Sequence, residues 1–150
     1  MPVRIQHEPF DAGAELAALT AGRSDIGASV TFVGQVRGTG AAGSIDSLTL
    51  EHYPAMAEAA LERIAGQARA RFAIADILIV HRHGDLRPGD PIVLVIAAAI
   101  SRQPAFEAAA FAMDRLKTDI PFWKKEHGPD GDAWVEARDS DRAAARAWDD

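Results

Sequence analysis

The sequence has 150 residues and contains no cysteine. Without cysteine there is no disulfide bond, no thiolate nucleophile and no metal or cluster site that uses cysteine ligands. This absence removes several classes of enzyme and metalloprotein before any pattern is considered. Any nucleophilic or acid–base chemistry must therefore rest on nitrogen and oxygen groups.

Long hydrophobic runs and an excess of positive charge are missing as well. The longest apolar stretch, residues 91–100, has about half of the roughly 20 residues that a membrane-spanning helix needs. Residues 1–7 turn polar at once, unlike a secretory signal peptide. A formal net charge of −6 argues against nucleic acid or an anionic membrane as a partner. We therefore expect a cytoplasmic protein.

What the sequence does contain is typical of a compact globular protein. Hydrophobic residues make up 48% and charged residues 25% of the chain, and the length suits one core rather than two. We therefore expect one domain over residues 1–150. The predicted strands are residues 3–7, 29–36, 45–52, 74–83, 92–100 and 133–137, and the predicted helices are residues 11–19, 54–71, 104–118 and 139–148.

Two strands dominate this prediction. Residues 74–83 and 92–100 are near-continuous apolar runs, which is typical of central strands covered on both faces. Residues 86–90 form a turn between them, with Gly89 at a position that needs positive φ. Strands joined by so tight a turn are antiparallel. The pattern therefore favours an α+β fold with a largely antiparallel sheet over a doubly wound parallel fold.

Lys117 is unusual because of its place on a predicted helix. The helix over residues 104–118 has an apolar stripe formed by Phe106, Ala110 and Met113. Steps of three and four residues place Lys117 next on that stripe. An ammonium group is costly to desolvate and normally faces water. The pattern therefore predicts that Lys117 lies beside core residues.

Lys124 follows on a second element. Pro121 stops the helix, and after it Phe122, Lys124 and Glu126 share one face of an extended segment. Two lysines at the mouth of an apolar pocket suit anion binding, proton transfer or attack on a carbonyl-like carbon. The alternative is a snorkelling Lys117 and a solvated Lys124.

Three arginines lie at the ends of predicted elements. Arg37 follows a strand, Arg138 ends another, and Arg102 precedes a helix, where oriented N–H groups favour an anion. If the fold gathers them with the two lysines, they form a basic cleft that attracts a phosphorylated ligand. Alternatively, each arginine pairs with one of the many carboxylates.

Three histidines are the remaining candidates. His81 and His83 alternate on one face of a predicted strand and have the spacing to ligate a metal together with His52. Histidines at i and i+2 without a cysteine or carboxylate at ligand spacing more often pack or form hydrogen bonds. We predict no metal site and no other cofactor.

Seven short stretches occur in one order over most of the chain, and together they are specific to one family. The stretches are residues 30–37 (VTFVGQVR), 48–54 (LTLEHYP), 81–84 (HRHG), 105–108 (AFEA), 116–118 (LKT), 121–126 (PFWKKE) and 134–138 (WVEAR). In these stretches the chain resembles, from end to end, the large, catalytic subunit of molybdopterin synthase. The resemblance implies an α/β-hammerhead-type α+β fold.

The resemblance also implies a reaction and partners. Members of this family convert cyclic pyranopterin monophosphate to molybdopterin by inserting two sulfur atoms as a dithiolene. The sulfur arrives as a thiocarboxylate on the C-terminal Gly-Gly tail of a small ubiquitin-like subunit. The large subunits form a dimer and each binds one small subunit, which gives a heterotetramer. The absence of cysteine agrees with this, because the chain cannot carry the sulfur itself.

The same resemblance assigns roles to individual residues. It implies that Lys117 is the principal catalytic lysine, and we assign it to polarising the thiocarboxylate carbonyl or transferring protons near the reacting carbons. It also implies that Lys124 is a second catalytic lysine, which stabilises developing charge or holds the intermediate. The residues that match substrate-binding positions are Gln35, Val36, Arg37, Ser101, Arg102, Lys125, Glu126 and Arg138.

Ser101 departs from the family pattern, which has a histidine at this position. Serine still forms hydrogen bonds, but it carries no positive charge and is no acid near neutral pH. We expect either slower turnover or a substitute histidine, for which nearby His127 is the candidate.

Two other functions fit parts of the sequence. A non-catalytic module that docks a ubiquitin-like tail would use Lys117 only to pair with the carboxylate of that tail. A lysine Schiff-base enzyme would act on a phosphorylated carbonyl substrate without a protein partner. Neither function accounts for the ordered set of matching stretches.

Overall fold

The part of the chain that the structure describes folds into two four-stranded β-sheets and four α-helices, with a short two-stranded hairpin. The structure is a computed structural model that describes residues 3–40, 43–120, 122–135 and 138–149. The elements are β1 (Val3–Gln6), α1 (Ala12–Thr20), β2 (Ala28–Gln35), β3 (Thr39–Gly40), β4 (Gly43–Ser44), β5 (Ser47–His52), α2 (Pro54–Arg71), β6 (Ile74–Arg82), β7 (Gly84–Leu86), β8 (Pro91–Ala99), α3 (Arg102–Asp119), β9 (Phe122–Gly128), β10 (Gly131–Val135), α4 (Asp139–Arg146) and a short 3-10 helix (Ala147–Asp149).

The first sheet, with strand order β1-β6-β8-β2, holds the main core. β6 and β8 are its central strands and pair antiparallel, as predicted, while β1 joins β6 in parallel. Ile77 and Ile79 face the core under α2 and α3, and Leu78 and Val80 face α1 on the other side. Because both faces are covered, these strands need apolar residues at every position.

The second sheet has the order β10-β9-β5-β7 and is antiparallel throughout. Its small core is formed by Val36, Leu48, Leu50 and Leu86. The connection between β6 and β8 supplies β7, and Gly89 in that connection has the predicted positive φ, 91°. The expected α+β fold with mainly antiparallel pairing is confirmed. β7 was not predicted from the sequence, because three residues are too few to show a periodic pattern.

The predicted stripe on α3 is wrong. Phe106 is 60% exposed, and Lys117 is exposed too. The buried residues of α3 are Ala105, Ala108, Ala109, Phe111, Ala112 and Leu116. The helix packs through its alanines because small side chains let it lie close to the sheet, and this leaves the bulky Phe106 outside. Lys117 therefore projects from the last turn of α3 rather than lying in line with the core.

Four polar side chains, one from each strand of the second sheet, form a row of hydrogen-bonded contacts across its outer face. His127 Nδ1 lies 3.0 Å from Asp132 Oδ1, and His127 Nε2 lies 2.8 Å from Thr49 Oγ1. The Thr49 hydroxyl donates to Asp85 Oδ1 at 2.7 Å. Asp132 lies on β10, His127 on β9, Thr49 on β5 and Asp85 on β7. His127 is thus held on the face of β9 opposite Lys124, and its role as a substitute for the histidine expected at position 101 stays a prediction.

Trp148 fixes the C-terminal segment to the helical layer. Its ring packs edge-on against Phe72 and Phe111, with ring centroids 5.6 and 5.5 Å away. Its indole N–H donates to Asp114 Oδ2 at 2.7 Å. These contacts hold α4 against α3. Among the described helices, none combines the length and the apolar character that crossing a bilayer requires.

We predict that Trp148→Ala lowers the free energy of unfolding by about 3 kcal/mol, because a large packed aromatic side chain is lost. The control is Trp134→Ala, since Trp134 is 54% exposed and its loss costs less than about 1 kcal/mol. Denaturant unfolding followed by circular dichroism measures both. Equal losses for the two variants would contradict the role of Trp148 as an anchor.

Candidate active site

A pocket of about 420 Å³ opens between the second sheet, the end of α3 and the start of α4. Its polar lining residues are Gln35, Arg37, His81, Lys117, Lys124, Glu126, Arg138 and Asp141. Its apolar lining residues are Val36, Ile45, Leu48, Leu116, Ile92, Ile120, Phe122 and Val135. The pocket thus combines an apolar wall with a rim of charged groups, as a small-molecule site does.

Two elements bring the lysines together. Lys117 lies in the last turn of α3. The alternation of β9 then turns Phe122, Lys124 and Glu126 into the pocket, as predicted. Pro121, which was expected to stop the helix, lies outside the described residues.

The pocket gathers most of the residues predicted for the site. These are Gln35, Val36, Arg37, Lys117, Lys124, Glu126 and Arg138. Lys125 is not among them, because neighbouring residues of a strand point to opposite faces. Its ammonium lies 5.3 Å from the centre of the Trp134 ring and 3.9 Å from Asp132 on the outer face.

Ser101 and Arg102 lie at the far end of α3. Arg102 is the first residue of this helix and Lys117 is in its last turn. At a rise of 1.5 Å per residue, the two are separated by about 22 Å. The predicted basic cleft therefore forms in this chain without Arg102, and a substrate-binding role for Ser101 and Arg102 stays a prediction.

Lys124 has the most altered electrostatic surroundings of the cationic groups in the pocket. Its pKa is lowered from 10.5 to about 8, mainly by burial and also by the charge of Lys117, while Asp141 acts in the opposite direction. The low pKa lets Lys124 hold or release a proton near neutral pH. Such a group is suited to charge stabilisation or proton transfer.

Glu126 contacts the hairpin that β3 and β4 form. A Cβ atom at Gly40 would overlap both carboxylate oxygens of Glu126. Glycine at position 40 therefore lets the hairpin backbone pass directly over this carboxylate.

His81 is a lining residue that was considered from the sequence as a metal ligand or, more commonly for such a histidine, as a packing or hydrogen-bonding residue. Its side chain is buried on β6, and its ring is stacked on Phe122 with centroids 4.0 Å apart. His52 also stacks on Phe122, with ring centroids 5.7 Å apart, and His83 packs on His52 with ring centroids 4.4 Å apart. In the described ranges no three histidine or carboxylate groups are arranged to hold a metal ion. Side chains alternate between the two faces of a strand. Extending the alternation of β6 to its last residues could have predicted that His81 faces the pocket.

The arrangement is suited to an anionic heterocycle. Arg37, Lys117, Lys124 and Arg138 supply positive charge for a phosphate or for charge that develops during reaction. The apolar wall, with Phe122, suits a planar ring. With no cysteine in the chain, no sulfur nucleophile is available from the protein itself.

Known proteins with similar sequences identify the family of this chain. The family model described as "MoaE protein" matches residues 5–119. The molybdopterin synthase catalytic subunit of Mesorhizobium japonicum is 53% identical over 148 residues, covering 97% of this chain and 92% of that protein. The same subunit from Escherichia coli is 50% identical over 141 residues, covering 94% and 93%.

Solved structures show the same fold. The molybdopterin biosynthesis MoaE protein of Burkholderia ambifaria has a TM-score of 0.84 at 49% identity, covering 99% of this chain and 97% of that one. Molybdopterin synthase of Staphylococcus aureus has a TM-score of 0.79 at 32% identity, covering 87% and 94%. The resemblance seen in the seven sequence stretches is therefore confirmed, and this chain belongs to the MoaE protein family.

Proposed function

We propose that this protein is the catalytic subunit of a molybdopterin synthase. It converts cyclic pyranopterin monophosphate to molybdopterin with sulfur from the thiocarboxylated C-terminus of a small ubiquitin-like subunit. The observation that carries this proposal is the pocket in which Lys117 and Lys124 lie together with Arg37 and Arg138. Relatives about half identical over nearly the whole chain carry the same name, which supports it.

The two lysines take different parts in the reaction. Lys117 is exposed at the pocket mouth, where an entering tail first arrives, and it polarises the thiocarboxylate carbonyl or transfers protons near the reacting carbons. Lys124 lies deeper and, as an ammonium, stabilises the charge that develops on the substrate. In each transfer the thiocarboxylate sulfur forms a C–S bond on the substrate while a C–O bond at the same carbon breaks and its oxygen leaves with a proton. Water then cleaves the acyl–sulfur bond, which leaves the sulfur on the substrate and a carboxylate on the small subunit.

Arg37 and Arg138 bind the substrate phosphate. Both line the pocket, and a guanidinium matches the geometry of two phosphate oxygens. Gln35, Val36 and Glu126 complete the contacts around the substrate.

The assembly is a dimer of large subunits, each of which binds one small subunit, in the cytoplasm. The chain needs such a partner because it has no cysteine to carry sulfur. The tail of the small subunit must reach Lys117 through the open side of the pocket.

A reconstituted reaction tests the proposal. The purified protein is mixed with precursor and with the small subunit in either its thiocarboxylate or its carboxylate form, without inorganic sulfide. We expect dithiolene product only with the thiocarboxylate form, with about two small subunits consumed per product, as the two sulfur atoms require. Product without the thiocarboxylated partner, or no product with it, would overturn the proposal.

We predict that Lys117→Ala lowers turnover in this assay by roughly two to four orders of magnitude, because an acid–base or charge-stabilising group is lost. Lys125→Ala is the matched control, since Lys125 lies on the outer face of β9 and its loss leaves turnover within about threefold. Binding of the small subunit should survive both changes. A non-catalytic docking module would instead lose tail binding in Lys117→Ala.

The pH dependence tests Lys124. Its protonated form is the active one and its pKa is about 8, so kcat/KM stays level below that pH and falls as pH rises through it. Asp141→Asn removes the negative charge that raises this pKa, and the fall then begins at lower pH. Asp139→Asn, a change on the same helix outside the pocket lining, is the control. An unchanged profile in Asp141→Asn would contradict the assignment.

A further inference from the structure

We propose that His81 is a substrate-contacting residue that accepts a hydrogen bond at Nε2 from a ring N–H or O–H group of the bound heterocycle. This inference rests on the proposed function and names a contact within the same pocket. It also gives a role to a histidine that was not among the residues predicted for the site. Three observations carry it: the tautomer of the ring, its fixed orientation and the charges around it.

The tautomer is set by the backbone. His81 Nδ1 lies 2.8 Å from the carbonyl oxygen of Arg82. A carbonyl oxygen can only accept, so Nδ1 carries the hydrogen and Nε2 carries the lone pair. The Arg82 guanidinium donates to the carbonyl oxygens of His7 at 2.9 Å and Pro91 at 3.0 Å. These bonds tie the end of β6 to its neighbours and keep the partner of Nδ1 in place.

The ring orientation is fixed by stacking. The His81 and Phe122 rings are nearly parallel, at 13°, with centroids 4.0 Å apart. His52 covers Phe122 as well, with ring centroids 5.7 Å apart. Because Nδ1 is bonded to the backbone and one ring face is covered, His81 cannot turn without losing both contacts. Its Nε2 atom is therefore held in one direction.

That direction is toward the pocket. His81 lines the pocket although only 6% of the residue is exposed. The structure gives it a hydrogen bond at Nδ1 and none at Nε2 among the described residues. In the same part of the chain, Arg4 Nε and Arg115 Nε are the fully enclosed side-chain atoms that lack a hydrogen-bond partner, and His81 Nε2 is not one of them. Among the described residues, Nε2 therefore has no partner but is not enclosed either. A ligand in the pocket can reach it and supply the missing donor.

The charges around His81 favour a neutral acceptor. Its pKa is lowered to about 3, mainly by burial; the hydrogen bond with the Arg82 carbonyl opposes this shift, and the charges of the nearby Lys124, His52 and His83 add to it. The imidazole therefore stays neutral across the pH range in which the pocket works. It accepts a hydrogen bond without cancelling the positive charge that Lys124 and Arg37 offer to a phosphate, which a carboxylate at this position would do.

This contact defines the class of ligand. The ligand is a planar heterocycle that carries an anionic group. Its anionic group binds the cationic residues of the pocket, and its ring, with an N–H or O–H donor, lies beside Phe122 and His81. A site built around a hydrogen bond discriminates strongly against an analogue that lacks the bonding group. An analogue with the same phosphate but methyl in place of that hydrogen should therefore bind poorly.

A pair of substitutions tests the inference in the reconstituted enzyme. The amide of His81→Asn reaches about as far as Nδ1 and leaves nothing at Nε2, whereas the amide of His81→Gln reaches the position of Nε2. We expect KM for the precursor to rise about tenfold in His81→Asn, as for loss of one hydrogen bond. We expect it to stay within about threefold of wild type in His81→Gln, with small-subunit affinity unchanged in both. A wild-type KM in His81→Asn, or equal rises in both variants, would overturn the inference.

Nitrogen-15 NMR of the unaltered protein provides a test without substitution. The free protein should show His81 as the Nδ1–H tautomer, and saturating precursor should move the Nε2 resonance from that of a free lone pair toward that of a hydrogen-bonded one. An Nε2 resonance unmoved in the saturated complex of an enzyme that makes product would overturn the role of His81 alone. A protein that neither binds precursor nor makes product would overturn the proposed function and this inference together.

Discussion

The close packing of α3 on the first sheet is the constraint on which the rest of the structure depends. Ala108, Ala109 and Ala112 meet the sheet in the main core, and such small side chains let the helix axis lie near the strands. The helix is long enough to carry its last turn to the edge of the second sheet. Lys117 reaches the pocket for this reason, although the residue itself is exposed.

The second sheet separates its two faces by chemistry. Phe122, Lys124 and Glu126 face the pocket, while Lys125 and His127 face outward into contacts with Asp132. The inner face is dry enough to lower the pKa of Lys124 to about 8. An anionic ligand offsets this cost of burial, because it brings an opposite charge to two neighbouring ammonium groups. Substrate capture and the protonation of Lys124 are therefore coupled.

The elements that could be predicted from the sequence were those with a strong local pattern of apolar residues. The apolar runs of β6 and β8 identified the central strands, because a strand covered on both faces has little freedom in composition. The stripe on α3 was misread, since an alanine-rich helix with Phe106 and Met113 offers more than one apolar face. Only packing against the sheet decides which face is buried, and here it selected the alanines.

The sequence by itself determined most of the elements, the largely antiparallel α+β class and, through the seven matching stretches, the family; it also singled out Lys117 and Lys124 as candidate catalytic residues. The alternation of β9 also predicted which face Lys124 shares with Glu126. Tertiary structure alone decided that Arg102 lies a helix length away from the pocket and that His81 lies within it. Spacing along a chain fixes the face of an element, but distances between elements depend on how they pack.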